Sequence, residues 1–298
     1  MEVSIIIPCY NKEEYIEACA QSILAQQFPS FEIIMVDDGS TDRTGEICDK
    51  VAATDSRIRV FHTPNSGVTA ARRFGLEQSR GRFIMFADSD DQLLPNSIQV
   101  LYDTMEKTNA DEVIGVYRTQ KGKVVDSKLR GWKNPAFLIN DLLAVHNSFC
   151  VLWGIIFKRE LLDGCLDTPR EIVSGEDILM QIKCLVKQPK VYFIEDKVYL
   201  YNEGLPNDRY MDLERVRLLD NELERTLSSR WEEFSNGYLY HCIKTYESYI
   251  YRKQFYIVDY YKDLKRQNLK QIPIKDRIVF LLPPKLAYYL VWLRKKCN

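Results

Sequence analysis

Phe83-Ile-Met-Phe-Ala-Asp-Ser-Asp-Asp91 sets an apolar run directly against three carboxylates. Five apolar residues in succession fit a strand buried on both faces, the kind found in parallel sheets. Carboxylates at the C-terminal end of such a strand lie where open α/β sheets bind ligands. Asp88 and Asp90, one residue apart, can share a hard divalent cation such as Mg²⁺ or Mn²⁺, which takes oxygen ligands and keeps positions open for phosphates. A metal and a phosphorylated ligand are therefore expected here. The same residues would also serve as a helix N-cap and a solvated acidic turn, so the surrounding sequence has to decide.

Outward from this stretch, strands and helices alternate. Val3-Ser-Ile-Ile-Ile7 predicts a buried strand stopped by Pro8, with a helix over about residues 14–26 after it. Glu32-Ile-Ile-Met-Val36 predicts a second strand running into Asp37-Asp-Gly-Ser-Thr-Asp42, where Ser40 or Thr41 can cap the next helix. A strand at 57–61, a helix over 68–78, the strand at 82–87, a helix over about 96–107 and a strand at 112–116 follow. This rhythm predicts an α/β fold with a mostly parallel sheet and helices on both faces. Residues 118–134, polar and glycine-containing, are expected to form an excursion or mobile loop. After the apolar segment 149–157, Ser174-Gly-Glu-Asp177 opens a helix through Lys187, with Ser174 or Gly175 as its cap and two acids at the positive end of its dipole. Two short strands are expected at 191–194 and 198–201.

Forty-one Lys and Arg against forty-two Asp and Glu give a net charge of -1, which excludes a general electrostatic attraction to nucleic acid. Eight cysteines without CxxC or zinc-ligand spacing fit a reducing compartment. The N-terminus shows no basic leader followed by an apolar stretch, so a cytoplasmic location is expected. His62, His146 and His241 are dispersed without ligand spacing and are expected to be structural. From about Leu213 the pattern turns helical, with neither Gly nor Pro between Leu213 and Asn236. At the end, apolar and aromatic residues over 278–293 are flanked by Lys275, Arg277, Lys285, Arg294, Lys295 and Lys296. This segment is too interrupted to span a bilayer and suits an interfacial helix pair, peripheral on the inner face of the cell membrane. Alternatively, it docks on the protein's own core with its basic end complementing the helix dipole.

Pro8-Cys-Tyr-Asn11, Asp37-Asp-Gly-Ser-Thr-Asp42, Asn65-Ser-Gly-Val-Thr-Ala-Ala-Arg-Arg73, Asp88-Ser-Asp-Asp91 and Gly175-Glu-Asp177, in this order and spacing, resemble the inverting glycosyltransferases of family 2. The resemblance covers roughly residues 3–202. It implies a GT-A fold, a Rossmann-like nucleotide-binding sheet, with a catalytic domain over 1–210 and a helical C-terminal extension over 211–298. Residues 1–116 would be the nucleotide-sugar half and 117–210 the acceptor half. The implied reaction moves a sugar from a nucleotide donor, expected to be UDP-linked, to an acceptor hydroxyl of a surface polysaccharide or lipid-linked glycan. Donor sugar, linkage and oligomeric state stay open.

The resemblance also implies roles. Pro8, Tyr10, Asn11 and Glu13 would border the nucleotide, with Tyr10 along the base, and Asp37 would accept the uracil N3–H while Asp38 shapes the turn. Asn65, Gly67, Ser89 and Arg72 belong to the donor site, Arg72 as a clamp on phosphate. Asp88 would face the ribose, and Asp90, with Asp88, would hold Mn²⁺ or Mg²⁺ at the diphosphate. Asp177 would be the base that deprotonates the acceptor hydroxyl, with Glu176 positioning it. Family members often carry Asn where this chain has Arg73, and a His or Arg after the last short strand, where it reads Tyr199-Leu-Tyr-Asn-Glu203 and on into Gly204. Trp153 could be a sugar platform or a buried core residue. Two other functions compete. A sugar-phosphate nucleotidyltransferase would need a glycine-rich basic loop after the first strand, which Pro8-Cys-Tyr-Asn-Lys-Glu13 lacks. A catalytically inactive nucleotide-binding scaffold of a membrane glycan-assembly complex would not need Asp88, Asp90 and Asp177 together.

Overall fold

The computed structural model describes residues 1–144, 149–203 and 212–297; His146 and Gly204 lie outside them. Two compact units emerge, Met1–Pro135 with Ser148–Tyr210, and Ala136–Asn147 with Met211–Asn298.

In the first unit β1 (Val3–Cys9) and β2 (Phe31–Asp37) are buried at all seven positions, which requires cover on both faces of the sheet. Odd-numbered side chains of β1, Ile5 and Ile7, share a core with Ile16, Cys19 and Ile23 of α1 (Ile16–Leu24) and with Ile98, Leu101 and Met105 of α4 (Ser97–Thr108). The alternate residue Ile6 lies against Gly75 of α3 (Val68–Gln78). Helix α2 (Thr44–Ala52) sits between β2 and β3 (Ile58–His62) in the chain. The order β3-β2-β1-β4, with β4 at Phe83–Phe86, is parallel throughout, as the alternation predicts.

Beyond β4 the sheet becomes mixed. Its full order runs on through β9 (Ile155–Lys158), β6 (Glu112–Thr119), β10 (Val191–Tyr201) and β5 (Gln92–Leu93). Strand β9 is antiparallel to both β4 and β6, while β6 and β10 are parallel. Two expectations change here. The stretch 118–134 is not only an excursion: Val124–Val125 (β7) pairs with β6 and Gly131–Lys133 (β8) pairs with β10. The two strands expected at 191–194 and 198–201 are one strand, with register irregularities between Phe193 and Tyr199 where the polar run Glu195-Asp-Lys197 interrupts alternation. Helix α6 (Glu176–Leu185) begins after Gly175, which holds φ +87° as its N-cap.

The second unit is helical. It contains α5 (Pro135–Leu143), α7 (Leu213–Leu227), α8 (Trp231–Tyr251), α9 (Ile257–Tyr260), α10 (Ile274–Leu281) and α11 (Pro284–Cys297). Residues 136–147, expected with the acceptor half, group with these helices, and Gly237 of α8 lies close against α5. A Cβ there would stand 2.4 Å from Asn140 Oδ1. Buried Asp220 of α7 accepts from the hydroxyls of Tyr260 and Tyr261, and burial lifts its carboxyl to about 6. Among the described residues no helix is long and apolar enough to cross a membrane.

Candidate active site

The strand ends of the first unit open into a cleft of about 840 Å³. Pro8, Tyr10, Asn11, Asp38, Asn65, Gly67, Arg72, Asp88, Ser89, Asp90, Glu176 and Asp177 all line it. Residues from five separate motifs thus meet in one place.

Strand ends carry some of them and the starts of α3 and α6 the others. Asn11, at φ +50°, accepts from the Thr41 N–H while its own N–H donates to Ser40 Oγ, which ties the loop after β1 to the loop after β2. Gly39, at φ +70°, lets this turn pass the next loop: a Cβ would stand 2.7 Å from the Asn65 nitrogen. The Asp38 carboxylate accepts from the backbone N–H groups of Ser66 and Gly67 at 2.7 and 2.8 Å, fixing the entry to α3. Tyr10 is largely exposed at the mouth. Asp37 and Glu13 are not among the lining residues. Asp37 faces His62, whose Nδ1 is 2.8 Å away, and this bond holds the His62 imidazole above its usual range. Glu13 accepts from Arg43.

Arg72 organises the centre. It is only 3 % exposed, and its Nη1 donates to Asp177 Oδ1 at 2.7 Å while Nη2 donates to Asp88 Oδ1 at 2.9 Å. Burial acts to lower the guanidinium's proton affinity, but Asp177, Asp88 and Glu176 outweigh it and leave the group firmly charged. In this structure Arg72 bridges the two acids expected to serve acceptor and donor, and Nε is a buried donor without a partner among the described residues. The neighbouring Arg73 is exposed on α3.

The turn 88–91 is braced from β10, which sequence reasoning missed. Tyr199 Oη accepts the Asp88 N–H at 2.9 Å, and the Asn202 N–H donates to Asp91 Oδ1 at 2.7 Å. Burial, then the charge on Asp88, pushes the Asp91 carboxyl up to about 8, so it is mostly protonated at neutral pH. That limits the repulsion within a turn of three acids. Lys12, also missed, donates from Nζ to Asp90 Oδ2 at 2.6 Å. A third missed residue, Arg170, lies at the rim and donates to Asn65 Oδ1 at 2.6 Å. Trp153 lines the cleft but is only 5 % exposed, stacked on Tyr199 and Tyr201 with Tyr117 edge-on, so both placements considered for it meet at the cleft floor.

Asp88 and Asp90 have the donor chemistry for a divalent ion. Their side chains keep 29 % and 20 % exposure, and each retains one carboxylate oxygen without a partner among the described residues. Among the described residues there is no cluster of three or more His, Cys, Asp or Glu arranged to hold a metal unaided. The pair therefore fits an ion completed by ligand oxygens, as Mg²⁺ and Mn²⁺ sites with phosphate ligands commonly are.

Comparison with known proteins gives the same picture. The profile of glycosyl transferase family 2 matches residues 4–166, more than half of the chain. The chain is 29% identical over 267 residues to the uncharacterized glycosyltransferase EpsJ of Bacillus subtilis, covering 85% of this chain and 75% of that protein. It is 28% identical over 287 residues to the minor teichoic acid biosynthesis protein GgaA of the same organism, covering 90% of this chain and 62% of that one. The crystal structure of S. aureus TarS 1-349 in complex with UDP-GlcNAc matches in fold, with a TM-score of 0.64 at 19% identity, covering 100% of this chain and 93% of that one. The GT-A fold is thereby borne out, and the chain belongs to glycosyl transferase family 2.

Proposed function

We propose that this glycosyltransferase moves a sugar from a UDP-linked donor to an acceptor hydroxyl, with inversion at the anomeric carbon. One observation carries the proposal: Asp88, Asp90 and Asp177 line a single cleft, with Arg72 bonded to two of them. TarS, which shares the fold, was solved with UDP-GlcNAc, and this supports a UDP-linked donor. The similarity to a teichoic acid biosynthesis protein supports a surface polysaccharide or lipid-linked glycan as acceptor.

The nucleotide would enter past Tyr10, whose exposed ring offers a stacking face to the base. Asp38, rather than Asp37, is the acid at the cleft wall beside it, with its oxygens engaged by the 66–67 backbone. Asp88 and Asp90 would hold Mn²⁺ or Mg²⁺ against the diphosphate. The ion, when bound, offsets the negative charge that collects on the leaving phosphate. Lys12 and Arg72 keep their carboxylates oriented and add fixed positive charge to that end of the cleft.

Of the half expected to face the acceptor, residues 117–135 and 149–203 would supply that side. Asp177 is one-fifth exposed, at the first turn of α6. Its Oδ1 is fixed by Arg72, an arrangement that orients the carboxylate to take the acceptor proton as the nucleophile closes on the anomeric carbon. Glu176, almost fully buried beside it, would position the helix start. One displacement by the acceptor oxygen, from the face opposite the diphosphate, gives inversion.

Stereochemistry tests this directly. With enzyme in excess and no added acceptor, water serves as nucleophile, and proton NMR reads the first anomer released from an α-linked UDP-sugar. The expected product is the β anomer. Early appearance of the α anomer would exclude single displacement.

A further inference from the structure

Helices α10 and α11 each have one face committed to the protein. Asp276, Val279 and Phe280 of α10 and Ala287 and Val291 of α11 are buried. Asp276 accepts from the Tyr240 hydroxyl at 2.9 Å, and Arg294 Nη1 reaches Asp276 at 3.2 Å and Glu247 of α8 at 3.3 Å. Arg294, the cation nearest the end of the apolar run, is thus used internally, and docking of the tail on its own helical unit is half of the answer.

The opposite faces are unusual for a soluble surface. Ile274, Ile278 and Leu281 on α10, spaced by four and three, and Leu286, Tyr289 and Leu293 on α11, spaced by three and four, are 47 to 66 % exposed. These spacings put three large apolar side chains on one stripe of each helix. Contiguous exposed apolar surface marks an interaction site. Lys275, Arg277 and Lys285 flank the stripes and have no carboxylate partner among the described residues. Lys295 and Lys296 add two more exposed cations, lying over the rings of Tyr251 and Trp292. The acid of this segment, Asp276, is fully buried and already paired.

We propose that this apolar and cationic face docks on an anionic lipid surface. Apolar side chains at the acyl boundary with cations among the headgroups are the arrangement of an interfacial helix. Charge decides between occupants. A second copy of this chain would bring the same unpaired cations against one another, whereas anionic headgroups neutralise them. The inference does not depend on the donor chemistry.

Deleting 275–298 would take the buried Val279, Phe280, Ala287 and Val291 out of the helical unit, so point substitutions are the cleaner probe. The full chain is sedimented with phosphatidylcholine vesicles and with phosphatidylglycerol-containing vesicles, at low and physiological salt. Wild type should pellet with the anionic vesicles, less so as salt rises. The variants Ile278→Asp/Leu286→Asp and Lys275→Gln/Arg277→Gln/Lys285→Gln should each partition less by about tenfold or more, with unchanged circular dichroism and melting. Wild type remaining in the supernatant, equal pelleting with both vesicle types, or variants that bind like wild type would overturn the proposal. A dimer in sedimentation velocity that Ile278→Asp/Leu286→Asp dissolves, without vesicle binding, would also overturn it and assign the face to self-association. Donor affinity measured alongside should be the same in all three proteins, so failure here leaves the assignment of the cleft standing.

Discussion

Asp177→Asn is expected to slow sugar transfer by about 10²- to 10⁴-fold, the range general-base catalysis supplies, while leaving donor affinity within about twofold. The substitution is close to isosteric, and the amide oxygen can still accept from Arg72 Nη1, so the bridge to Asp88 should persist. What is removed is a basic oxygen, and the acceptor hydroxyl must then lose its proton to water. The affinity readout separates this from structural damage, because a collapsed site would lose donor and rate together. A loss below about tenfold would move the base elsewhere. Glu176→Gln then becomes the comparison, although Glu176 is nearly fully buried and poorly placed to reach an acceptor.

The second large effect is expected at Arg72. Arg72→Met fills a similar volume but leaves Asp88 and Asp177 without the cation that holds both. Breaking a fully buried ion pair by removing one partner costs about 3–5 kcal/mol. Here the two carboxylates are 29 % and 21 % exposed, so water offsets part of that, and about 2–3 kcal/mol is expected. For a domain of this size that lowers Tm by about 5–10 °C. Activity should fall by more than stability explains, because Asp88 and Asp177, the proposed donor acid and base, lose their shared orientation. Arg72→Lys keeps the charge but not the fork that bonds two carboxylates at once, and should lie between the two in both respects. A melting curve and a transfer rate for each variant suffice. If Arg72→Met melts and turns over like wild type, the bridge is incidental.

Much of the fold could be read from the chain because its signals are local. The runs Val3-Ser-Ile-Ile-Ile7 and Phe83-Ile-Met-Phe-Ala87 are apolar at nearly every position, which a strand buried on both faces requires, and the helix expected over 68–78 has those bounds in the structure. Strands β5, β7 and β8 escaped because two or three residues carry no measurable period. The switch of β9 to antiparallel was equally invisible, since an apolar run does not encode its direction.

The site divides along the same line. The acids and asparagines at strand ends stand out in their motifs, yet the bonds that make them one site join residues far apart: Arg72 with Asp177, Lys12 with Asp90, and Tyr199 with Asp88. Lys12 reads as an ordinary loop lysine until β1 and β4 lie side by side. Asp37 and Asp38 look interchangeable in sequence, and only the placement of His62 on β3 shows which carboxylate turns from the cleft.

The most direct test is calorimetric titration of the chain with UDP-, GDP- and dTDP-linked sugars, each with and without Mn²⁺, in wild type and in Asp90→Ala. The expected result is binding of a UDP-sugar that Mn²⁺ strengthens, with the metal-dependent gain absent from Asp90→Ala. Failure of every donor to bind with metal present, or a gain from Mn²⁺ that survives in Asp90→Ala, would contradict the assignment of this cleft as the donor site.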